Sequence, residues 1–321
     1  MNYVINTRPY TIFSEYKHEL LLKKDKNYLF DLAYLAVLNV EGNQAETFLQ
    51  GQLTCDVRKV NLHTMRQGAL CNLKGRIQAL LDVIKIANYQ LILPKDLIAA
   101  TLISLNKAAM LSRVKLEVNT NYRVYGFYLG NSEEQSPIIL NLPKEKNALT
   151  VHNDNYYYCI EESYFIILSP VANHDSLVAP FISTQRFQGS LAWHRLQTGI
   201  GKIEIYPDTR GLFLPHRIEL HQQGYISFDK GCYKGQEIIA RTHYRAKLKH
   251  RLAVFRIQIH TPINAGNKLF DLNQREVGEI IDYCPLDANE FIIVTSILID
   301  HPSEVNIEGV PTIISLRTNL D

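Results

Sequence analysis

The spacing of apolar positions changes along this chain, and each change predicts a different element. Residues 34–40 form an apolar run of strand length. Asn43-Gln44-Ala45-Glu46 follows, and its ends fit a capping box in which Asn43 accepts from the N3 amide and Glu46 reaches back. Ala45, Phe48, Leu49 and Leu53 then recur at helical spacing. Residues 67–72 and 77–86 read as two strands joined by a hairpin at Lys74-Gly75. Pro94 opens a second predicted helix over 95–105.

From about residue 117 the texture shifts. Tyr122, Val124 and Tyr125-Gly126-Phe127 predict a strand, and residues 130–136 a polar loop. Residues 156–159 and 165–168 predict a strand pair, and 191–196 a short helix. From about residue 248 the chain is strand-rich, with β-like runs at 251–259, 277–283, 291–298 and 310–316. Pro262, Gly266, Pro285, Pro302 and Gly309 punctuate them. A small antiparallel barrel is the economical arrangement, because closure removes edge strands. No internal repeat or low-complexity tract interrupts the pattern.

Composition narrows the class. The chain has 321 residues, 46% of them hydrophobic, enough for one large core or several small ones. A formal net charge of +2 argues against a dedicated DNA-binding protein, yet leaves room for a local basic patch. The cysteines are Cys55, Cys71, Cys159, Cys232 and Cys284, with no C-x-x-C pair. A zinc ribbon, a self-sufficient iron–sulfur site and a disulfide scaffold are therefore not expected, and a reducing compartment is. Residues 1–10 are polar and lack the apolar core of a signal peptide. The apolar run at 291–299 is about half the length of a membrane span. A cytoplasmic protein with no membrane partner is the expectation.

Candidate chemistry centres on Lys230-Gly231-Cys232-Tyr233-Lys234-Gly235-Gln236-Glu237 and the following Ala240-Arg241. A cysteine between two glycines, just before a predicted helix, has two readings. One is a tight turn with a buried, inert thiol. The other is a thiol whose pKa is lowered by the unpaired amides of a helix N-terminus, with Lys230, Lys234 and Arg241 near in sequence. Gly199-Ile200-Gly201 lacks the third glycine of a dinucleotide fingerprint. His216 and His221 flank Glu219, but on an extended segment that spacing does not converge, so no metal site is expected. Residues 241–251 are densely basic. His243 and Tyr244 within them could stack on RNA bases, or the run could be a solvated connector.

Three motifs in order resemble the YgfZ-type folate-binding proteins, relatives of the glycine-cleavage T-protein. They are Lys230-Gly231-Cys232-Tyr233-x-Gly235-Gln236-Glu237-x-x-Ala240-Arg241, the segment Phe48-Leu49-Gln50-Gly51-Gln52-Leu53-Thr54-x-Asp56-Val57, and Gly75-Arg76 with the later 195–199 and Phe213-x-Pro215. The resemblance implies an α+β protein of T-protein-like arrangement. Two α+β domains, 1–116 and 117–247, and a C-terminal antiparallel β-barrel, 248–321, would surround a central cavity for tetrahydrofolate or a derivative. It also implies support of iron–sulfur cluster assembly or repair and, through it, of tRNA thiolation. Partners would then be iron–sulfur assembly or tRNA-modifying proteins, with tRNA itself a lesser candidate and DNA excluded.

Carried onto this chain, the resemblance places Gln197 where T-protein relatives have a glutamate that grips the pterin. It marks Thr54, Asp56 and Arg241 as folate-binding candidates, with Arg245 and Lys247 available for a glutamate tail. It implies a functional thiol at Cys232, expected partly exposed at the cavity rim, as cluster ligand, redox group or docking point. T-protein uses an aspartate near the Gly75-Arg76 hairpin. The matching stretch here, Gln78-Ala79-Leu80, has no carboxylate, and Asp82 lies two or three residues further along. An accessory folate-binding protein is therefore the leading expectation, a one-carbon (aminomethyl) transferase the alternative, and a plain RNA-binding module the third.

Overall fold

The computed structural model describes residues 1–134 and 136–316. Residue 135 of the expected polar loop and residues 317–321 of the expected third domain lie outside the described residues. Alternating apolar positions build three large sheets, beside a two-stranded N-terminal hairpin of Asn2–Ile5 and Arg8–Thr11. The first is antiparallel throughout and runs Arg66–Cys71, Ile77–Lys85, Tyr89–Pro94, Leu35–Glu41, Lys115–Val118. The predicted hairpin at Lys74-Gly75 is its edge. The second runs Leu149–His152, Asn155–Glu161, Tyr164–Pro170, Tyr122–Tyr128, Tyr28–Asp31, Phe187–Gln188, and only the last pair is parallel. Its strand Tyr28–Asp31 comes from the N-terminal part of the chain.

The C-terminal strands form one curled antiparallel sheet, in the order Val310–Ile313, Glu304–Ile307, Lys268–Phe270, Glu276–Asp287, Glu290–Leu298, His250–Gln258, Ser315–Leu316. The expected closed barrel is not formed; the sheet is an open half-barrel. Among the described residues no ladder joins its first and last strands. Pro311 sits in the first strand without an amide to offer a closing partner, which is how a sheet edge is blunted. Register shifts at Ile280/Asp282 and Pro285/Asp287 bend the central strand.

Two helical expectations also need correction. The helix after the first strand is Ala45–Gln52, capped at Gln44 with no side-chain cap bond. Glu46 does not reach back; it accepts instead from Tyr89 Oη at 2.8 Å. The second helix starts as a 3-10 turn, Lys95–Leu97, and continues to Leu111. Among the described residues no helix is long and apolar enough to cross a membrane.

The helix Ser190–Gly199 sets the middle of the molecule. It is buried on nearly every side, through Leu191, Ala192, Trp193, His194 and Leu196. Trp193 lies flat on the strand Tyr122–Tyr128 because Gly126 has no side chain. A Cβ there would come within 2.6 Å of Trp193 Cε3.

A buried polar network ties this helix to the rest. Arg8, 1% exposed, forks onto Asp96 at 2.8 and 2.9 Å and also donates to Glu204 at 3.0 Å and the Ile205 carbonyl at 2.7 Å. Tyr206 Oη donates to Asp282 at 2.7 Å, and His194 Nε2 lies 3.0 Å from the Tyr283 carbonyl and 3.3 Å from Asp282 Oδ1.

Candidate functional site

The strand Ile77–Lys85 alternates strictly over its first residues. Ile77, Ala79, Leu81 and Val83 are buried in the core beneath the first sheet, with Phe48 and Leu49 of the helix Ala45–Gln52. Leu80 and Asp82 therefore share the other face. That face looks into a hollow of about 90 Å³, closed on its far side by Trp193, His194 and Gln197 of the helix Ser190–Gly199. Lys202, Glu204 and Tyr225 complete its wall.

The hollow is polar and incompletely satisfied. Asp82 accepts from Gln67 Nε2 at 3.0 Å and from Tyr158 Oη at 3.1 Å. Burial raises its pKa, against the pull of these two bonds and of the Lys202 charge. Gln67 Oε1 and Gln197 Nε2 are buried without a hydrogen-bond partner. Lys202 Nζ stands 3.6 Å from Glu161, too long for a hydrogen bond. Burial, followed by Lys146, depresses the Lys202 pKa, while Glu161 and Asp82 oppose the fall. Burial likewise raises Glu204, against Arg8 and His194. For His194, burial disfavours the charged ring, but Asp282, joined by Glu204 and the Tyr283 carbonyl, raises its pKa. Lys202 and Glu161 also line an adjoining recess of about 280 Å³ together with Glu219 and Gln223. The two hollows meet at the Lys202 side chain.

The glycine-flanked motif forms a separate locus. Gly235 has φ +84° and begins the helix Gln236–Arg245. A Cβ there would collide with the Asn72 carbonyl oxygen, so the hairpin tip and the helix start dock backbone to backbone. Cys232 is exposed, and the other four cysteines are buried. It is not among the residues lining the central hollow. Lys230 points away from solvent. Its ammonium donates to the carbonyls of Gln50, Leu53 and Cys55 at 2.8, 2.6 and 2.8 Å, closing the C-terminal turn of Ala45–Gln52. Burial pushes its pKa down to about 8. Tyr233 is buried, its ring 4.9 Å from Lys230 Nζ, and Gln236 Oε1 accepts from the Tyr233 amide at 3.3 Å. Gly231 and Glu237 are exposed.

Of the folate-binding candidates, the structure brings Gln197 to the hollow. Thr54 is buried elsewhere, its hydroxyl donating to the Tyr225 carbonyl at 2.7 Å and accepting from the Ala69 amide at 2.9 Å. Asp56 accepts from Gln50 Nε2 at 2.7 Å and Arg58 Nε at 3.1 Å; despite burial, these bonds lower its pKa. Arg241, Arg245 and Lys247 are exposed on the motif helix and its exit. The residue that counting along the sequence set aside, Asp82, is in the hollow opposite Gln197. The available signal was the two-residue period, which gives Leu80 and Asp82 one face.

His243 of the basic run stacks on Phe228 at 3.8 Å between ring centroids and approaches His216 at 5.7 Å and His221 at 6.0 Å. His216 and His221 are 4.7 Å apart. Both ring nitrogens of His216 are buried without a partner, and burial, reinforced by His221 and His243, pushes its pKa down to about 4. Among the described residues no three His, Cys, Asp or Glu side chains are arranged to hold a metal ion.

No model of a protein family matches the chain. Curated relatives do. The tRNA-modifying protein YgfZ of Colwellia psychrerythraea is 25% identical over 283 residues, covering 85% of this chain and 86% of that protein. The tRNA-modifying protein YgfZ of Hamiltonella defensa is 30% identical over 231 residues, covering 67% and 66%. Among solved structures, the glycine cleavage system aminomethyltransferase T of Bartonella henselae superposes with a TM-score of 0.63 at 16% identity, covering 91% of this chain and 85% of that one. At that identity the likeness is one of fold.

Proposed function

From the premise that this chain is a homologue of the YgfZ-type proteins, built on the fold of a glycine-cleavage aminomethyltransferase, we propose that it binds a reduced folate in the central hollow and serves tRNA modification. The observation that carries this reading is the hollow itself. It lies where the two α+β sheets and the helix Ser190–Gly199 meet, and it holds buried polar atoms with unused hydrogen-bonding capacity. Buried polar groups are rarely left unpaired in the working state of a protein. A pterin has a flat apolar body with donors and an acceptor on one edge, which suits the Trp193 and Tyr225 surfaces and the amides of Gln67 and Gln197. Bound there, the folate would supply a carrier for one-carbon units.

Volume bears on the mode of entry. An apolar cavity of roughly 150 Å³ takes one benzene, so about 90 Å³ admits a pterin only after side chains move. Lys202, at the junction with the outer recess, is the side chain whose swing would open the path. The linker and tail would then occupy the recess.

The accessory role is the leading reading because the stretch Gln78-Ala79-Leu80, which matches the aspartate segment of T-protein, has no carboxylate; Asp82 reaches the same hollow by the two-residue strand period, so transfer chemistry is the alternative that the turnover assay decides. Support of iron–sulfur proteins through Cys232, with partners from iron–sulfur assembly or tRNA modification, belongs to the same proposal. Its support is that Cys232 is solvent-exposed three residues before Gly235, where the backbone docks against the Asn72 carbonyl. Calorimetric titration with tetrahydrofolate, followed by an assay of one-carbon release in the same sample, tests the reading. Binding without turnover is expected; turnover would make the protein a transferase, and no binding would end the folate reading.

A further inference from the structure

The central hollow leaves the basic run 241–251 without a task. Arg241, Arg245, Lys247, Lys249 and Arg251 are five cations in eleven residues, and the run holds no Asp or Glu. Taking these five from the chain's 34 Lys and Arg leaves 29, against 32 Asp and Glu, so the run carries the whole positive balance of the chain. Among the described residues none of the five forms an ion pair, whereas Arg217, Arg256 and Lys268 each pair with a glutamate. Like charges crowded on a surface repel each other, and a polyanion that meets them relieves that repulsion.

The fold sets these cations beside an aromatic platform. Arg241, Tyr244 and Arg245 stand at i, i+3 and i+4 on the helix Gln236–Arg245 and so share a face. His243 is exposed, yet it lies on Phe228 with ring centroids 3.8 Å apart and 19° between the planes. Tyr244 stands edge-on to both rings and is 71% exposed. The exposed residues of this helix are Glu237, Arg241, His243, Tyr244 and Arg245, and none is aliphatic. Past the helix, the Ile299 amide donates to the Lys249 carbonyl at 3.0 Å. That bond pins the exit along a groove of about 800 Å³ whose walls include Lys247, Lys249, Arg275 and His301. Asp271 and Asp300 also line it, and Asp271 is occupied by the Asn273 and Arg275 amides of its own turn, at 2.9 Å each. No residue of the basic run lines the central hollow or its recess.

We propose that the outer face of the helix Gln236–Arg245 and the groove beyond it bind a single-stranded segment of RNA. An unstacked base lies against His243 and Tyr244. Arg241, Arg245, Lys247 and Lys249, all exposed, meet the phosphates along the track towards the groove. Aromatic rings take bases of any sequence by stacking, and the cations follow the backbone. A duplex keeps its bases paired and stacked, and so offers none to Tyr244. An anionic membrane would call for aliphatic side chains beside the cations, and the outer face of this helix has none. The inference rests on the tRNA-modification reading for the source of the RNA, and on nothing in the folate hollow.

The test is fluorescence anisotropy of labelled oligouridylate titrated with the full chain over a series of salt concentrations. The single strand is expected to bind about tenfold more tightly than the same strand annealed to oligoadenylate. The plot of log K against log salt is expected to have a slope of about −3, roughly −0.7 for each of four phosphates. The double variant Arg245→Gln, Lys247→Gln is expected to reduce that slope to about half. Tyr244→Ala is expected to weaken binding about tenfold, the scale of one stacked base, and to leave the slope unchanged. Tyr244→Phe keeps the ring and is expected to bind as the wild type does. If Tyr244→Ala binds as tightly as the wild type, or if duplex and single strand bind alike, no base stacks there and the inference is overturned. Capture by phosphatidylserine vesicles without binding of oligouridylate would overturn it in favour of a membrane surface. If oligouridylate fails to bind while tetrahydrofolate binds, this inference falls and the folate reading stands. If oligouridylate binds as described and tetrahydrofolate does not, the folate reading falls alone.

Discussion

Two positions apart in the motif, Lys230 and Cys232 meet opposite environments. Lys230 is 8% exposed and gives its hydrogens to three carbonyls, so its charge serves the end of Ala45–Gln52. Cys232 faces solvent. Burial pushes Cys55 and Cys71 up to about 12 and Cys159 up to about 11, which keeps them as thiols near neutral pH. Native-state alkylation should therefore show one fast thiol. Cys232→Ser should abolish that phase while changing stability by less than about 0.5 kcal/mol, as exposed substitutions do. A fast phase that persists in Cys232→Ser would refute the assignment. Alkylation no faster at Cys232 than at Cys55 or Cys284 would remove the basis for a functional thiol.

Elements carry two further predictions. The segment Pro215–Ile218 and the helix Gln236–Arg245 meet through the His216, His221, His243 and Phe228 rings. The folded-state pKa of His216, about 4, is below its ordinary 6.5. Between those values the unfolded chain binds more protons than the folded one, so stability falls as pH drops from 6.5 towards 4. Urea midpoints measured across that range should decline in the wild-type protein. His216→Phe, which keeps a ring in the stack and removes the proton site, should flatten the decline; an unchanged slope would place its origin elsewhere. In the second sheet, Gly126→Ala would force a methyl into Trp193. A loss of about 1–3 kcal/mol is expected from such overpacking. Trp193 is the sole tryptophan, so its fluorescence should shift in the folded variant. An unperturbed spectrum and midpoint would mean the strand yields without cost.

At the scale of the molecule, Arg8 connects parts that are far apart in sequence. The N-terminal hairpin strand Arg8–Thr11 reaches the 3-10 turn Lys95–Leu97 after the first sheet through Asp96 and the wall of the hollow through Glu204, while Glu204 also accepts from Tyr34 Oη at 2.9 Å. Removing one member of a buried charge network leaves the others uncompensated. Arg8→Leu should cost about 3–5 kcal/mol, read as a lower urea midpoint, and should weaken whatever binds in the hollow. A variant as stable as the wild type would show that the carboxylates find other partners. The network also explains how the C-terminal sheet can stay open. Asp282 of its central strand is held by Tyr206 and by the Glu204 amide, so the half-barrel is docked against the other sheets without closing on itself.

Local periodicity determined much of this protein. The hairpin at Lys74-Gly75, the strand pair around residues 156–168, the helix after Gly235 and the runs after residue 248 all follow from spacing and turn residues. These depend on interactions a few residues long, which the order of side chains encodes directly. The T-protein-like fold was legible too, through motifs that sit where backbones touch, such as Gly75 against Gly235. Only the tertiary structure decided which polar groups share a space. Glu46 met Tyr89 in place of capping its helix, the C-terminal sheet stayed open with Pro311 on its edge strand, and His243 joined two histidines more than twenty residues away. Asp82 looked misplaced when counted by offset, yet a strand repeats its faces every second residue and so carries Asp82 into the hollow with Leu80. Distance along the chain sets the element; which atoms face one another depends on how sheets pack, and that is a property of the folded whole.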